Sequence, residues 1–283
     1  MNFYKILDLN YDFGNYKIKK FNIDRENNIV LFTLNDINKP CIIYYDKKTI
    51  AKKYVLLEDK IDPEAVLCVQ PIEENWLIIL NCEENNAIIF NNKGKILNKF
   101  YVGSGIQDCQ VDKYDNIWIG YSDEGIYGDS IIGGNGIVAF DAKGQVVFND
   151  YDNFVCEYDV PPIDECSVMN VTNDGVWLYY YSEFPLVQIK NKKMHKIWEE
   201  IELGVDVNLG GFAVGEDNVL FVTLDKSLVL YSLTNNKVHY MVPYNEWNGE
   251  IFPINCFGRG SVLYLQTKDS LYCADLMDNF NAK

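Results

Sequence analysis

The stretch Val111-Asp112-Lys113-Tyr114-Asp115-Asn116-Ile117-Trp118-Ile119-Gly120-Tyr121, followed after a gap by Gly136-Ile137-Val138-Ala139-Phe140-Asp141, decides the reading of the chain. A polar turn leads into a run of β-branched and aromatic residues, and a second such run ends in another polar turn. Strands with tight hairpin turns are built this way. The same arrangement recurs five more times. Its second strands align as Asn28-Ile29-Val30-Leu31-Phe32, Asn75-Trp76-Leu77-Ile78-Ile79, Asn116-Ile117-Trp118-Ile119-Gly120, Gly175-Val176-Trp177-Leu178-Tyr179, Asn218-Val219-Leu220-Phe221-Val222 and Ser261-Val262-Leu263-Tyr264-Leu265. Each is preceded or opened by a small turn residue, and the repeat is about 40–60 residues long, the period of a four-stranded propeller blade.

The third strands follow at Ile42–Tyr45, Ala87–Phe90, Gly136–Phe140, Leu186–Ile189, Leu228–Tyr231 and Leu271–Ala274, and four of them run into lysine-bearing turns. The sixth repeat ends after its third strand, near Leu276. Phe3–Leu9 is a spare strand at the other end of the chain. The expected fold is therefore all-β: a six-bladed β-propeller of four-stranded blades, one domain over 1–283, its ring closed by the N-terminal strand. No stretch holds a helical period for long. Met194–Leu203 comes nearest.

With 283 residues and 48% hydrophobic content, the chain can bury a full core without disulfide or metal staples. Its 41 Asp+Glu against 25 Lys+Arg give a formal net charge of −16. That excess argues against nucleic acid and against an anionic membrane as partners, because phosphate binding needs clustered cations. No apolar run is long enough to span a bilayer, and the first residues do not have the pattern of a signal peptide. The eight cysteines form no Cys-x-x-Cys pair and most lie in strand-like runs, as expected for buried thiols in a reducing cytoplasm.

Residues 111–121 and 136–141 resemble the repeat of bacterial regulator-type propellers: Asp, turn, apolar-Trp-apolar-Gly, Gly-rich gap, Phe-Asp. Trp118–Gly128 and Tyr179–Leu186 also look like uncharacterised bacterial propeller proteins. No strand ends in Trp-Asp and no blade carries the Kelch double-glycine signature, so the WD40 and Kelch patterns are absent. The resemblance implies a fold and no particular chemistry.

Between Tyr121 and Cys166 the chain has ten carboxylates, and its only basic residue is Lys143. Most lie in two long irregular segments, Ser122–Asn135 and Tyr151–Glu165, and connections of that length in a compact repeat are often functional. Aromatics are interleaved at Tyr121, Tyr127, Tyr151, Phe154 and Tyr158. A solvated surface or a cation site would also use such carboxylates, but the leading expectation is a cytoplasmic interaction module with no cofactor. It would bind a basic protein partner, for instance a toxin or effector that it restrains, through Asp123, Glu124, Tyr127, Asp129, Asp152, Glu157 and Asp159.

The alternative is a hydrolase. Met169–Tyr179 is distantly similar to the Asn…Asp-Gly…Leu-Tyr stretch of gluconolactonase-like propellers, although Val171 stands where they have Gly. That likeness implies a divalent-metal-dependent lactonase at the channel mouth, with calcium or another divalent cation on Asn170 and with Asp108 or Glu165 as further ligand or base. Asn208 and Asn255 occupy matching stretches of the fifth and sixth repeats. The plainer role for Asn170 and Asp174 is to satisfy backbone groups. A small-molecule sensor at the channel mouth is a third possibility. His195 and His239 fall in or near outer fourth strands, Cys109 and Cys166 near the channel strands in acidic surroundings, and no nucleophile elbow, phosphate loop or dinucleotide fingerprint occurs.

Overall fold

A computed structural model of the chain describes residues 1–199, 201, 203–204 and 207–280, the side chains of 207–210 and 279–280 excepted. The chain opens with β1 (Tyr4–Asp8) and helix α1 (Leu9–Phe13). Blade one is β2 (Lys17–Ile23), β3 (Ile29–Leu34), β4 (Pro40–Asp46) and β5 (Ala51–Leu56). Blade two is β6 (Val66–Ile72), β7 (Asn75–Leu80), β8 (Ala87–Phe90) and β9 (Ile96–Phe100). Blade three is β10 (Ile106–Val111), β11 (Ile117–Tyr121), β12 (Ile137–Phe140) and β13 (Val146–Phe148). Helix α2 (Asp123–Tyr127) and a 3-10 turn (Ile131–Gly133) lie between β11 and β12, and helix α3 (Tyr151–Tyr158) follows β13.

Blade four is β14 (Glu165–Val171), β15 (Val176–Tyr181), β16 (Leu186–Lys190) and β17 (Lys193–Trp198). Blade five is β18 (Val207–Val214), β19 (Asn218–Thr223), β20 (Leu228–Ser232) and β21 (Val238–Met241). Strands β22 (Asn255–Arg259), β23 (Val262–Gln266) and β24 (Ser270–Asp275) begin blade six, and helix α4 (Leu276–Phe280) follows. Among the described residues the strands form six four-stranded sheets, each in meander order, in the topology of a six-bladed β-propeller. The spare N-terminal strand completes the last sheet: β1 pairs antiparallel with β24, Tyr4 opposite Cys273. The stretch nearest to helical in sequence, 194–203, begins instead as the edge strand β17.

The chain divides into two compact units, residues 15–197 and residues 1–14 with 198–283. In the first, the first strands of successive blades run side by side in the same direction, joined by buried polar side chains. Asn22 Oδ1 accepts from Val69 N at 2.9 Å, and Gln70 Nε2 donates to Ile23 O at 3.0 Å. Gln110 both donates to Met169 O and accepts from Val171 N, each at 2.9 Å. These side chains satisfy strand-edge groups that would otherwise be buried unpaired, a loss of about 1–3 kcal/mol each. In the second unit β18 and β22 approach so closely that a Cβ on Gly258 would lie 1.8 Å from Phe212 O.

The turns explain the sequence repeat. Asp112 accepts from Tyr114 N, Asn116 N, Asn116 Nδ2 and Trp118 Nε1 at 2.8–2.9 Å. Asp24 does the same work in blade one for Glu26 N, Asn28 N and Tyr44 Oη. An Asp followed four residues later by Asn thus closes the turn between first and second strands. One turn reaches further. Arg25 donates to Asp115 Oδ1 at 2.7 Å and to Asp112 O at 3.1 Å, and Asp115 Oδ1 also accepts from Glu73 N at 2.7 Å. The turns of blades one, two and three are thereby tied at a half-buried ion pair. Arg25→Ala is expected to lower the unfolding free energy by about 1–2 kcal/mol. Urea unfolding of the two proteins checks this, and an unchanged midpoint would remove the tie from the account.

Candidate functional site

Consecutive strands within each blade are antiparallel, and first strands of neighbouring blades in residues 15–197 are parallel. The connections between second and third strands, and those between blades, therefore share one end of this unit. Both irregular acidic segments lie at that end. The connections there carry sixteen carboxylates and two lysines, Lys39 and Lys60, whereas those at the opposite end carry eight acidic and eight basic residues. Asp141, part of the acidic run in sequence, lies at the opposite end, in the turn from β12 to β13.

The first acidic segment folds as α2, which carries Asp123, Glu124 and Tyr127, with Asp129 just beyond; all four are exposed. The helix lies flat on its blade because two glycines allow it. A Cβ on Gly125 would meet Ser104 O at 2.5 Å, and Gly105, at φ +61°, would meet Gly125 N at 2.2 Å. Ser122 secures the same contact, its N–H donating to Gly105 O at 2.8 Å and its hydroxyl at 3.1 Å. Tyr127 hydroxyl donates to Asp164 Oδ1, just ahead of β14, and that bond raises the phenol pKa.

The second segment folds as α3. Asp152 and Glu157 point to solvent from it, and Asp159 caps its end in the left-handed conformation, φ 54°. Its other face is aromatic and buried. Tyr151 and Phe154 pack between Phe148 and Tyr180 with ring centroids 5.7–5.8 Å apart. Tyr151 hydroxyl donates to Tyr180 Oη at 2.7 Å, and Tyr180 donates in turn to Pro161 O at 2.8 Å. Burial raises both phenol pKa values far above the ordinary range.

The five aromatics interleaved with the acidic residues divide between core and surface. Tyr121 and Tyr151 are fully buried, and Phe154 nearly so, because they hold α2 and α3 to the blades; Tyr127 and Tyr158 stay exposed. Sequence reading missed Ile131, Tyr181 and Phe184, which are exposed at the same end. Tyr181 and Phe184 form an edge-to-face pair at 5.4 Å beside the short Ser182–Pro185 connection. The Phe-Pro in a loop of four residues was the available signal.

Of the three residues of the hydrolase reading, Glu165 and Asn170 lie well apart. Glu165 and Asn170 sit on one strand, β14, roughly 15 Å apart at strand rise. Asn170 is fully buried within the sheet. Asp108, on β10, accepts from Cys109 N at 2.7 Å and from Met169 N at 3.3 Å, linking blades three and four. Among the described residues no three His, Cys, Asp or Glu side chains are grouped to hold a metal. The Asn208 side chain lies outside the described residues. Cys166 is buried and its thiol pKa is pushed up, first by desolvation and then by Asp108 and Glu165.

Asp108 keeps some exposure, yet its carboxylate is enclosed by neighbouring atoms. Desolvation pushes its pKa up to about 6 despite the two N–H bonds, Lys20 and Gln110, all of which favour the charge. The folded protein then holds this proton more tightly than the unfolded chain. Stability from this group is complete below pH 4 and is lost as pH rises through 6, a change of about 3 kcal/mol. Asp108→Asn is expected to remove that dependence, so the variant gains on the native protein as pH rises from 4 to 7. Urea unfolding across that range measures the difference, and a pH-independent difference would refute the assignment.

The YxzG family model matches residues 137–274, just under half of the chain. Among curated proteins, none matches the sequence. Of solved structures, the chain is similar to a chain of the mitotic checkpoint complex, at 8% identity and TM-score 0.53, over 93% of this chain and 76% of that one. It is also similar to the extracellular domain of BT4673 from B. thetaiotaomicron, at 10% identity and TM-score 0.52. That likeness covers 91% of this chain and 34% of the other, so the chain spans about a third of its length. These likenesses show the fold alone. Among the described residues no helix is long and apolar enough to cross a membrane.

Proposed function

We infer that the protein is a protein-interaction module whose acidic end, at blades three and four, docks a basic protein partner. The observation that carries this reading is the segregation of charge between the two ends of residues 15–197. Sixteen carboxylates gather on connections that otherwise carry two lysines. Like charges at that density repel one another and are relieved by a cationic surface, which they also steer into contact. The exposed Tyr127, Tyr158, Tyr181 and Phe184 supply apolar anchors among them. Short helices held by buried tyrosines make the surface firm before binding, which limits the entropy lost on association. Asn170, the metal ligand of the hydrolase reading, is fully buried within its sheet, which favours the docking surface over the hydrolase.

The test is affinity capture from native lysate at 50, 150 and 500 mM salt. The comparison protein carries Asp123→Asn, Glu124→Gln, Asp152→Asn and Asp159→Asn. A basic protein should be retained by the native chain at low salt, released as salt rises, and missed by the variant. Equal capture by both proteins would reject the surface.

A further inference from the structure

We propose that the opposite end of blades three and four holds a second site, a cleft for a small organic anion with an apolar body. The cleft encloses about 380 Å³, within the range of small-ligand pockets. Three turns frame it: 112–116 between β10 and β11, 172–175 between β14 and β15, and 191–192 between β16 and β17. Each is fixed before any ligand arrives. Asp112 pins the first through Tyr114 N and Asn116 N. Thr172 Oγ1 pins the second, accepting from Asp174 N and Gly175 N at 3.1 Å. Asn191 and Lys192 both adopt positive φ, 51° and 59°, and make the third a tight two-residue hairpin.

The floor is apolar, made by Trp118, Val176 and Ile189, and the rim is cationic. Lys113 comes from the first turn and Lys190 and Lys192 from the β16–β17 hairpin, and all three line one opening, in a protein of net charge −16. Two carboxylates, Asp112 and Asp174, line the same cleft, so its charged residues sum to a single net positive charge. Asp112 is buried with its oxygens already taken by four donors, including Trp118 Nε1 at 2.9 Å. Asp174 only grazes Lys190, at 4.0 Å, and is largely exposed. Lys113 ammonium stands 5.2 Å from the Tyr114 ring centroid, so cation and aromatic face are offered together. An anionic head group would meet the lysines while a flat or aliphatic body covers the indole and the branched side chains below. A carboxylate and a phosphate share this chemistry.

The experiment titrates phenylacetate, phenyl phosphate and the uncharged 2-phenylethanol into the ¹⁵N-labelled protein and follows amide shifts. Saturable shifts confined to residues 112–116, 172–175 and 190–192 are expected with at least one anion, and binding of 2-phenylethanol at least tenfold weaker. The larger response among the two anions identifies the head group. Lys113→Gln with Lys192→Gln, both exposed positions, should weaken the anion at least tenfold and leave the melting temperature unchanged. Equal binding of the alcohol, saturation elsewhere, no saturable shift with any of the three, or unaltered affinity in the double variant would each overturn the proposal.

Discussion

Tyr151→Ala lowers the unfolding free energy by about 3–5 kcal/mol, the largest single-residue loss expected in the acidic end. Tyr151 has no solvent exposure, stacks edge-on against Phe154 and Tyr180, and donates its hydroxyl to Tyr180. Truncation opens a cavity of ring size under α3 and ends the bonded relay to Pro161. Tyr151→Phe separates the two contributions. It keeps the ring and leaves the Tyr180–Pro161 bond in place, so its cost should be about 1 kcal/mol. Urea unfolding gives both values. Equal losses in the two variants would mean that the hydroxyl, and not the ring, holds the helix.

The second large effect is on association. Neutralising Asp123, Glu124, Asp152 and Asp159 together is expected to weaken the basic partner by about a hundredfold at 150 mM salt, roughly 2.7 kcal/mol. All four are exposed, and Asp159→Asn keeps a residue that tolerates the left-handed conformation required there. Folding should change little. The slope of log affinity against log salt should flatten in the variant, because fewer charge contacts remain to be screened. A hundredfold loss without a change in slope would point to a shape change in α2 or α3 instead of lost charge.

The blades were legible because each strand is written twice in the sequence, once as an apolar run and once as the turn that ends it. Asp112 and Asn116 show why: both are needed to close one turn, so their spacing carries the hairpin. The N-terminal strand followed from counting, since the last repeat lacked a partner for β24. Helix α3 was not read, although Tyr151, Phe154, Val155 and Tyr158 fall at helical spacing. Eight residues closed off by Pro161-Pro162 are too short for that period to stand out from a loop. The same miss left the burial of Tyr151 and Phe154 unread.

The charge segregation was only half legible. The cluster between Tyr121 and Cys166 is plain in the sequence, but which connections share an end depends on strand direction. Asp141 therefore belonged to the cluster by position and to the opposite end by topology. The relation between Asp108 and β14 was hidden for a similar reason. The register between first strands of neighbouring blades is set by side chains such as Gln110, and no local pattern encodes it.

The most direct test of the acidic docking surface is a hydrogen-exchange footprint of the protein with its captured basic partner. Slowed exchange is predicted in residues 122–136 and 149–164, with the turns at 112–116, 172–175 and 190–192 unaffected. Protection confined to those turns, or absent from both helices, would contradict the account.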